Sequence, residues 1–169
     1  MARPSRNSDF DSARNPVRTF FFTSRTDGGR ALLQSERMAN LFVDVLRSYM
    51  RARKFTVHDF VIMPTHVHVL LSVGPEISIE KAAQLIKGNF SYRAKKEFGV
   101  KWEIWQKGFS EVQVLTKESF IQHQIYIDEN PVKAGLAQSA EEYPYCSMFL
   151  KRQKAQRLKP GINSTVRHD

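Results

Sequence analysis

The stretch TVHDFVIMPTHVHVLLSV, residues 56–73, decides the fold predicted for this chain. It holds two runs, Thr56–Met63 and His66–Val73, that are rich in β-branched and aliphatic residues. Such runs are typical of β-strands, and only Pro64 and Thr65 separate them. Because so short a connection makes two strands run antiparallel side by side, the stretch predicts a β-hairpin.

Segments on either side of the hairpin complete an α+β pattern. An aromatic strand comes first, and two amphipathic helices, capped by Ser35 and by Ser78, lie before and after the hairpin. A short alternating strand and a third helix follow. That helix should stop near Asn130, because Pro131 disfavours helical geometry at the residue before it. In chain order the predicted segments outside the hairpin are strand 17–24, helix 38–50, helix 79–96, strand 111–115 and helix 116–130.

The order of these segments predicts one compact domain. Strand, helix, strand, strand, helix, strand is the split βαβ, ferredoxin-like arrangement, in which a four-stranded antiparallel sheet carries helices on one face. The third helix follows this core. With 169 residues the chain fits one domain of ordinary size. We predict a flexible leader at 1–16, the domain at 17–150 and a basic, flexible tail at 151–169.

The composition favours a partner rich in phosphate. The chain has 26 Lys and Arg against 17 Asp and Glu, a formal net charge of +9 and a pI of about 9.8. Nucleic-acid-binding proteins have this charge balance, although basic proteins also bind membranes and acidic partners. The single cysteine, Cys146, cannot form an intramolecular disulfide, and we expect a cytoplasmic protein. Since no apolar run approaches the roughly 18 residues that span a bilayer, we expect no membrane partner.

Two histidines in the second hairpin strand form the first candidate site. Side chains two residues apart on a strand point to the same side of a sheet. His66 and His68 should therefore project together, while Val67 and Val69 face the other way. A pair of imidazoles suits a divalent metal ion. The alternative is that two surface histidines share one strand by chance.

The third helix carries the second candidate site. Residues four apart on a helix lie on nearly the same face, so Tyr126 and Asn130 should point the same way. The phenol could then face a substrate, and the carboxamide oxygen could complete a metal site. The alternative makes Tyr126 an amphipathic core residue with its hydroxyl at the surface, and Asn130 a helix terminator before proline.

Three motifs, in this order and spacing, resemble one known family. They are the pair His66 and His68 after a Met-Pro hairpin, the segment WQKGF at 105–109, and Tyr126 followed by NPVKAGL at 130–136. The chain resembles the REP-associated tyrosine transposases, a branch of the one-tyrosine HUH transposases. The resemblance runs from about residue 17 to residue 150.

The resemblance implies a site, a reaction and a partner. In that family the histidine pair binds Mg or Mn, the helix tyrosine forms a 5′-phosphotyrosine bond with DNA, and the residue four positions later is a further metal ligand. These roles fall on His66 and His68, on Tyr126, and on Asn130. Insertion-sequence relatives usually have Gln at the position of Asn130, so the match is to the REP-associated branch. That branch implies single-stranded or hairpin DNA of palindromic repeat elements as partner, and a monomer, whereas insertion-sequence relatives act as dimers.

Basic and aromatic residues are interleaved between Lys87 and Phe109. Single-stranded DNA is held by cationic grooves and by aromatic side chains that stack on its bases. The alternative is that the aromatic residues are core and the lysines form a solvated helix face. With the tail, this region supplies the candidate DNA contacts Lys87, Arg93, Lys95, Lys96, Trp102, Lys151, Arg152 and Lys154.

The leading hypothesis is an enzyme, a metal-dependent single-strand DNA endonuclease and strand transferase of the transposase type. Two other functions are compatible with the sequence. A catalytically silent nucleic-acid-binding module would need the basic surface but not Tyr126. A metal-dependent phosphodiesterase would attack with activated water. Only the leading hypothesis predicts a covalent adduct between protein and DNA.

Overall fold

The computed structural model describes residues 17–158 and confirms the predicted α+β fold. Four strands form one antiparallel sheet in the order β2-β3-β1-β4, which is the ferredoxin-like arrangement. Four helices pack on the two faces of this sheet. The elements are β1 Arg18–Arg25, α1 Glu36–Arg51, β2 Thr56–Ile62, β3 His66–Val73, α2 Ile79–Phe98, β4 Ser110–Val114, α3 Lys117–Lys133 and α4 Ser147–Arg157.

Helices α1 and α2 cover one face of the sheet and enclose the larger core. Ser35 and Ser78 cap them as predicted, each accepting a hydrogen bond from a backbone N–H three residues later. Alternate strand residues such as Phe22 and Val69 are fully buried against Phe42 and Phe90 of the two helices. Every second side chain of each strand therefore points to this face, and the others point to the opposite face.

Helices α3 and α4 lie on the opposite face, where a smaller core forms. Val61 and Leu70 of the sheet pack with Ile127 of α3 and with Tyr143 and Cys146, which precede α4. The Tyr143 hydroxyl donates to the carbonyl oxygen of Ile62 at 2.6 Å. The third helix is thus anchored over β2 and β3, on the side to which the even-numbered residues of β3 point.

The third helix does not stop at Asn130, so that prediction was wrong. α3 continues through Pro131 to Lys133, and the N–H of Ala134 closes its last turn by donating to the Asn130 carbonyl oxygen at 3.1 Å. Proline removes one backbone hydrogen bond, but the residues that follow it can still donate. Pro131 is buried, and its packing outweighs the local preference on which the prediction relied.

The predicted boundary after Leu150 falls inside a helix. α4 begins at Ser147 and runs to Arg157, which places the first residues of the predicted tail in regular structure. Only the first turn of α4 packs against the protein, whereas residues 151–158 are exposed, so the sequence has no amphipathic repeat to reveal it. The predicted leader and residues 159–169 of the predicted tail lie outside the described residues. Within 17–158, no helix is both long and apolar enough to cross a membrane.

Candidate active site

His66 and His68 lie together on the sheet face covered by α3, as their spacing on β3 predicts. Their ring centroids are 4.8 Å apart and the rings are nearly perpendicular. His68 is buried, with 4% of its surface exposed, and His66 is half-buried. The buried neighbours Val67 and Val69 point into the opposite core. Neither histidine is therefore a freely exposed surface residue.

The surroundings of His68 leave one ring nitrogen without a protein partner. Its Nδ1 lies 2.8 Å from the hydroxyl oxygen of Thr23 on the neighbouring strand. Its Nε2 is buried and has no hydrogen-bond partner among the described residues. Burial, with smaller contributions from His66 and Arg25, lowers the pKa of His68 to about 3. The ring is therefore neutral, and when Nδ1 donates to Thr23, Nε2 keeps the lone pair that a metal ion requires.

Asn130 reaches the second histidine. Its side chain hydrogen-bonds to His66, and Nδ1 of His66 also lies 3.1 Å from the hydroxyl oxygen of Thr65. Burial lowers the pKa of His66, while the bond from Asn130 opposes that shift. Within residues 17–158, no group of three or more His, Cys, Asp or Glu side chains is placed to hold a metal ion. The side chains near one another that could hold a metal ion here are the two imidazoles and the carboxamide of Asn130.

Tyr126 on α3 contacts the ring of His68. Thr116 caps this helix by accepting a hydrogen bond from the N–H of Ser119 at 3.1 Å, and the neighbouring Ile127 is fully buried. Anchored in this way, the Tyr126 ring meets His68 edge-on with the centroids 5.3 Å apart. Tyr126 is 46% exposed, so a substrate can reach it.

Phe21 of β1 contacts three of the rings around the site, although no motif in the sequence singles it out. Its ring stacks on His68 at 5.1 Å, and Tyr126 meets it edge-on at 5.7 Å. It also packs against His123 of α3 at 4.6 Å. The Nδ1 of His123 donates to the carbonyl oxygen of Ser119 at 2.7 Å, since a carbonyl can only accept. Phe21 thus packs against both the tyrosine and the buried histidine.

A polar cleft of about 250 Å³ opens beside the histidines. It lies between the end of β1 and the segment that leads into β4. Arg25 pairs with His66 in the register of β1 and β3, and its positive charge contributes to the lowered pKa values of both histidines. The lining residues are Thr23, Arg25, Gln106, Lys107, Gly108, Phe109 and Ser110. Sequence reasoning did not single out Thr23 or Arg25, because it could not tell which face of β1 the site would use.

Two of the candidate DNA contacts make bonds within the protein instead. The ammonium of Lys87 donates to the carbonyl oxygens of Gln106 at 3.1 Å and Gly108 at 2.5 Å, and burial lowers its pKa. The guanidinium of Arg93 donates to Asp44 at 2.7 Å and to Glu97 at 3.0 Å. Both groups brace the fold, and neither presents a free cation.

The other candidate contacts lie away from the histidine pair. Lys95 and Lys96 are on the exposed end of α2, the helix on the far face of the sheet, and Trp102 beyond it is 47% exposed. Lys151 is exposed on α4, and burial raises the pKa values of Asp59 and Asp128 while the charge of Lys151 opposes this rise. Arg152 pairs loosely with Glu141 at 3.8 Å, and Lys154 is exposed on the same helix. The structure does not bring these residues together in one surface.

Comparisons of the sequence and of the structure with known proteins agree with one another. The sequence pattern of the family described as transposase IS200 like matches residues 22–130. The REP-associated tyrosine transposase of Escherichia coli strain K12 is 27% identical over 129 residues, which cover 75% of this chain and 74% of that protein. The solved structure of a REP-associated tyrosine transposase bound to a REP hairpin superposes with a TM-score of 0.67 at 25% identity, covering 85% of this chain and 82% of that one. A crystal structure from Deinococcus radiodurans, at 22% identity and a TM-score of 0.52, supports the fold alone.

Proposed function

Because this chain belongs to the family of IS200-like transposases, we propose that it cuts and rejoins single-stranded DNA with Tyr126 as the nucleophile. It is, on this proposal, a metal-dependent endonuclease and strand transferase that forms a 5′-phosphotyrosine intermediate on hairpin or repeat DNA. The observation that carries the proposal is the edge-on contact of Tyr126 with His68 at 5.3 Å. The candidate nucleophile and the candidate metal ligands come from separate segments, and they meet at one accessible point.

The residues at this point fit a divalent ion. His66 and His68 offer neutral imidazoles, and Asn130 offers a carboxamide beside His66. A buried nitrogen without a partner, such as Nε2 of His68, is unfavourable, and coordination would relieve that cost. Mixed nitrogen and oxygen donors suit Mg or Mn better than metals that prefer thiolates. A bound ion would neutralise a non-bridging oxygen of the phosphate that is attacked.

Tyr126 performs the covalent step. Its Oη forms a bond to phosphorus while the bond from phosphorus to the 3′-oxygen breaks. The phenol loses its proton and the departing 3′-oxygen gains one, so that the products are a 5′-phosphotyrosine and a free 3′-hydroxyl. Attack by a 3′-hydroxyl on the phosphotyrosine reverses these changes and rejoins the strands without ATP. Phe21 packs against the rings of both Tyr126 and His68. Packing that orients the tyrosine in advance would lower the entropy lost on reaching the attacking geometry.

The partner we propose is hairpin DNA of palindromic repeat elements, encountered in the cytoplasm. A formal net charge of +9 favours a polyanion, and a REP-associated tyrosine transposase with this fold has been solved on a REP hairpin. Exposed residues such as Lys95, Lys96, Trp102 and Lys154 remain candidates for contacts with the outlying DNA. We propose a monomer as the acting species, since Tyr126 contacts His68 of its own chain.

The experiment that tests the proposal is detection of the covalent adduct. Wild-type protein is mixed with Mg or Mn and with a hairpin oligonucleotide labelled on the 3′ side of the break. We expect this label to travel with the protein on a denaturing gel, whereas a label on the 5′ side is released. Proteolysis and mass spectrometry should place the DNA on Tyr126. Tyr126→Phe keeps the aromatic volume, so it should bind DNA normally and form no adduct.

Tyr92→Phe is the matched control. Tyr92 is 62% exposed on α2, across the sheet from the histidines, and its removal should leave the adduct unchanged. Cleavage without any adduct would support the phosphodiesterase that uses water. Hairpin binding without cleavage would support the silent binding module. An adduct mapped to another residue would refute the assignment of Tyr126.

A further inference from the structure

The cleft between the end of β1 and the segment 106–110 has no role in the chemistry described above. Its walls are polar and carry two cations, Arg25 on the β1 side and Lys107 on the opposite side. We name it the flanking cleft, lined by Thr23, Arg25, Gln106, Lys107, Gly108, Phe109 and Ser110. We propose that it holds the nucleotide next to the phosphate that Tyr126 attacks, with the Arg25 guanidinium bound to that nucleotide's phosphate. This inference rests on the proposed function.

The position of the flanking cleft supports the inference. Thr23 is hydrogen-bonded to His68, and Arg25 lies opposite His66 in the sheet. The cleft therefore starts at the histidines and extends across β1 towards β4. On this side of the sheet α3 lies over β2 and β3, whereas Ser110 and Val112 of β4 remain exposed. A DNA strand whose phosphate lies under Tyr126 has an open path into the cleft.

The charge of Arg25 supports an anionic occupant. Arg25 is the register partner of His66 across β1 and β3, so it lies beside the proposed metal ligands. Arg25 is exposed, and among residues 17–158 it makes no ion pair with a carboxylate, in contrast to Arg93. A cation beside metal ligands opposes metal binding by repulsion. A phosphate bound to Arg25 would remove that repulsion, and arginine can bind phosphate through two parallel hydrogen bonds.

The opposite wall of the cleft is held in shape without DNA. The N–H of Gln106 donates to the carbonyl oxygen of Arg25 at 2.9 Å, which ties the segment to the end of β1. The ammonium of Lys87 binds the carbonyl oxygens of Gln106 and Gly108 from behind. Phe109 packs against Phe22 of the larger core at 5.5 Å. A wall fixed in advance loses little entropy on binding, so it is suited to select one nucleotide position.

Coupling between Arg25 and one DNA phosphate tests the inference. Binding is measured by fluorescence anisotropy with Tyr126→Phe protein, so that no cleavage intervenes. The probe is a hairpin with a single-stranded flank in which one phosphate at a time is replaced by a neutral methylphosphonate. At the position next to the break, we expect the replacement to weaken binding about tenfold, as loss of one charge-assisted hydrogen bond does. Arg25→Gln should weaken binding by a similar factor, and the two changes together should be no worse than either alone.

Two further variants make the result specific. Arg25→Lys keeps the charge but not the paired hydrogen bonds, so it should recover only part of the affinity and keep the coupling at the same position. Arg47→Gln removes an exposed cation from α1, across the sheet, and its effect should add to that of every methylphosphonate. The inference would be overturned if the effect of Arg25→Gln simply added to that of the methylphosphonate at every position. It would also be overturned if Arg25→Gln bound DNA as tightly as the protein with Arg25.

Failure of the inference can be distinguished from failure of the proposed function. The coupling is a binding measurement made without cleavage, whereas the proposed function is tested by the adduct on wild-type protein. An adduct on Tyr126 without coupling would reject the flanking cleft and retain the nuclease. Coupling without an adduct would reject the nuclease and retain Arg25 as a phosphate contact.

Discussion

The hydroxyl oxygen of Thr23 lies 2.8 Å from Nδ1 of His68, across the pair of strands β1 and β3. The contact orients the imidazole and, when Nδ1 donates, leaves Nε2 as the nitrogen with a free lone pair. Thr23 is therefore a positioning residue for a proposed metal ligand. Its place on the strand beside the histidines follows from the sheet register, in which Thr23 and His68 are partners.

Replacing Thr23 should weaken metal binding without unfolding the protein. Thr23→Val keeps the shape of the side chain but removes the hydroxyl. We expect the affinity for Mn to fall about tenfold, which is the smaller of the losses seen when a metal-binding histidine loses its hydrogen-bond partner. Thr23→Ser retains the hydroxyl and should stay close to wild type. Calorimetric titration of each protein with Mn in the absence of DNA measures the effect. Equal Mn affinities for the Val and Ser variants would show that the hydroxyl does not orient His68.

Removing either histidine should stop cleavage and leave DNA binding nearly unchanged. His66→Ala and His68→Ala remove candidate metal ligands, while the exposed basic residues that would contact phosphates remain. Adduct formation and hairpin affinity are measured side by side on each variant. His58→Ala is the matched control, since His58 lies on β2 and bonds to Ser72 at 2.6 Å, away from the histidine pair. Metal-dependent cleavage at the normal rate by either His66→Ala or His68→Ala would disprove the metal site.

Asn130 should contribute less than the histidines. Asn130→Ala removes one amide ligand, which water can replace, so we expect the metal concentration for half-maximal adduct formation to rise several-fold while the maximal rate is largely kept. Its hydrogen bond to His66 is lost as well. A titration with Mn followed by adduct yield measures the shift. If Asn130→Ala depended on metal concentration as the wild type does, Asn130 would not be a metal ligand.

Asp59 should make stability depend on pH. Burial on β2, together with the nearby Asp128, raises the pKa of Asp59 to about 7, although the charge of Lys151 and a backbone hydrogen bond from Phe60 oppose this. The Ser147 hydroxyl donates to its Oδ1. The folded protein thus binds the proton more tightly than the unfolded chain does. Its contribution to stability is full below about pH 4 and is lost as pH rises towards 7.

Asp59→Asn removes this pH dependence and keeps the shape of the side chain. We expect the variant to be more stable than wild type at pH 8, by an amount on the order of 1–3 kcal/mol, with the difference shrinking towards pH 5. Chemical unfolding of both proteins across this pH range gives the comparison. A difference that grows as the pH falls would have the opposite sign and would show that Asp59 is ionised in the folded protein.

Local patterns in the sequence determined the elements and the direction of several side chains. Apolar residues that recur every two residues predict the strands, and those that recur about every 3.6 residues predict the helices. Backbone geometry alone sets these two periods. For the same reason the sequence placed His66 beside His68, and Tyr126 on one helix face with Asn130. The family resemblance, which rests on the spacing of three motifs, linked these pairs in one hypothesis, and the structure confirms the fold it implied.

Tertiary packing decided which distant segments of the chain are in contact at the site. Nothing in the local pattern says that α3 covers the sheet face of His68, and that choice brings Tyr126, Phe21 and Thr23 to the site. Packing also carries α3 past Pro131, where a preference at a single residue is outweighed by burial. It turns Lys87 inward, because an ammonium near two carbonyl oxygens binds them instead of a distant phosphate. Contacts between distant segments depend on the burial of whole faces, and a one-dimensional pattern shows which face is apolar but not what will cover it.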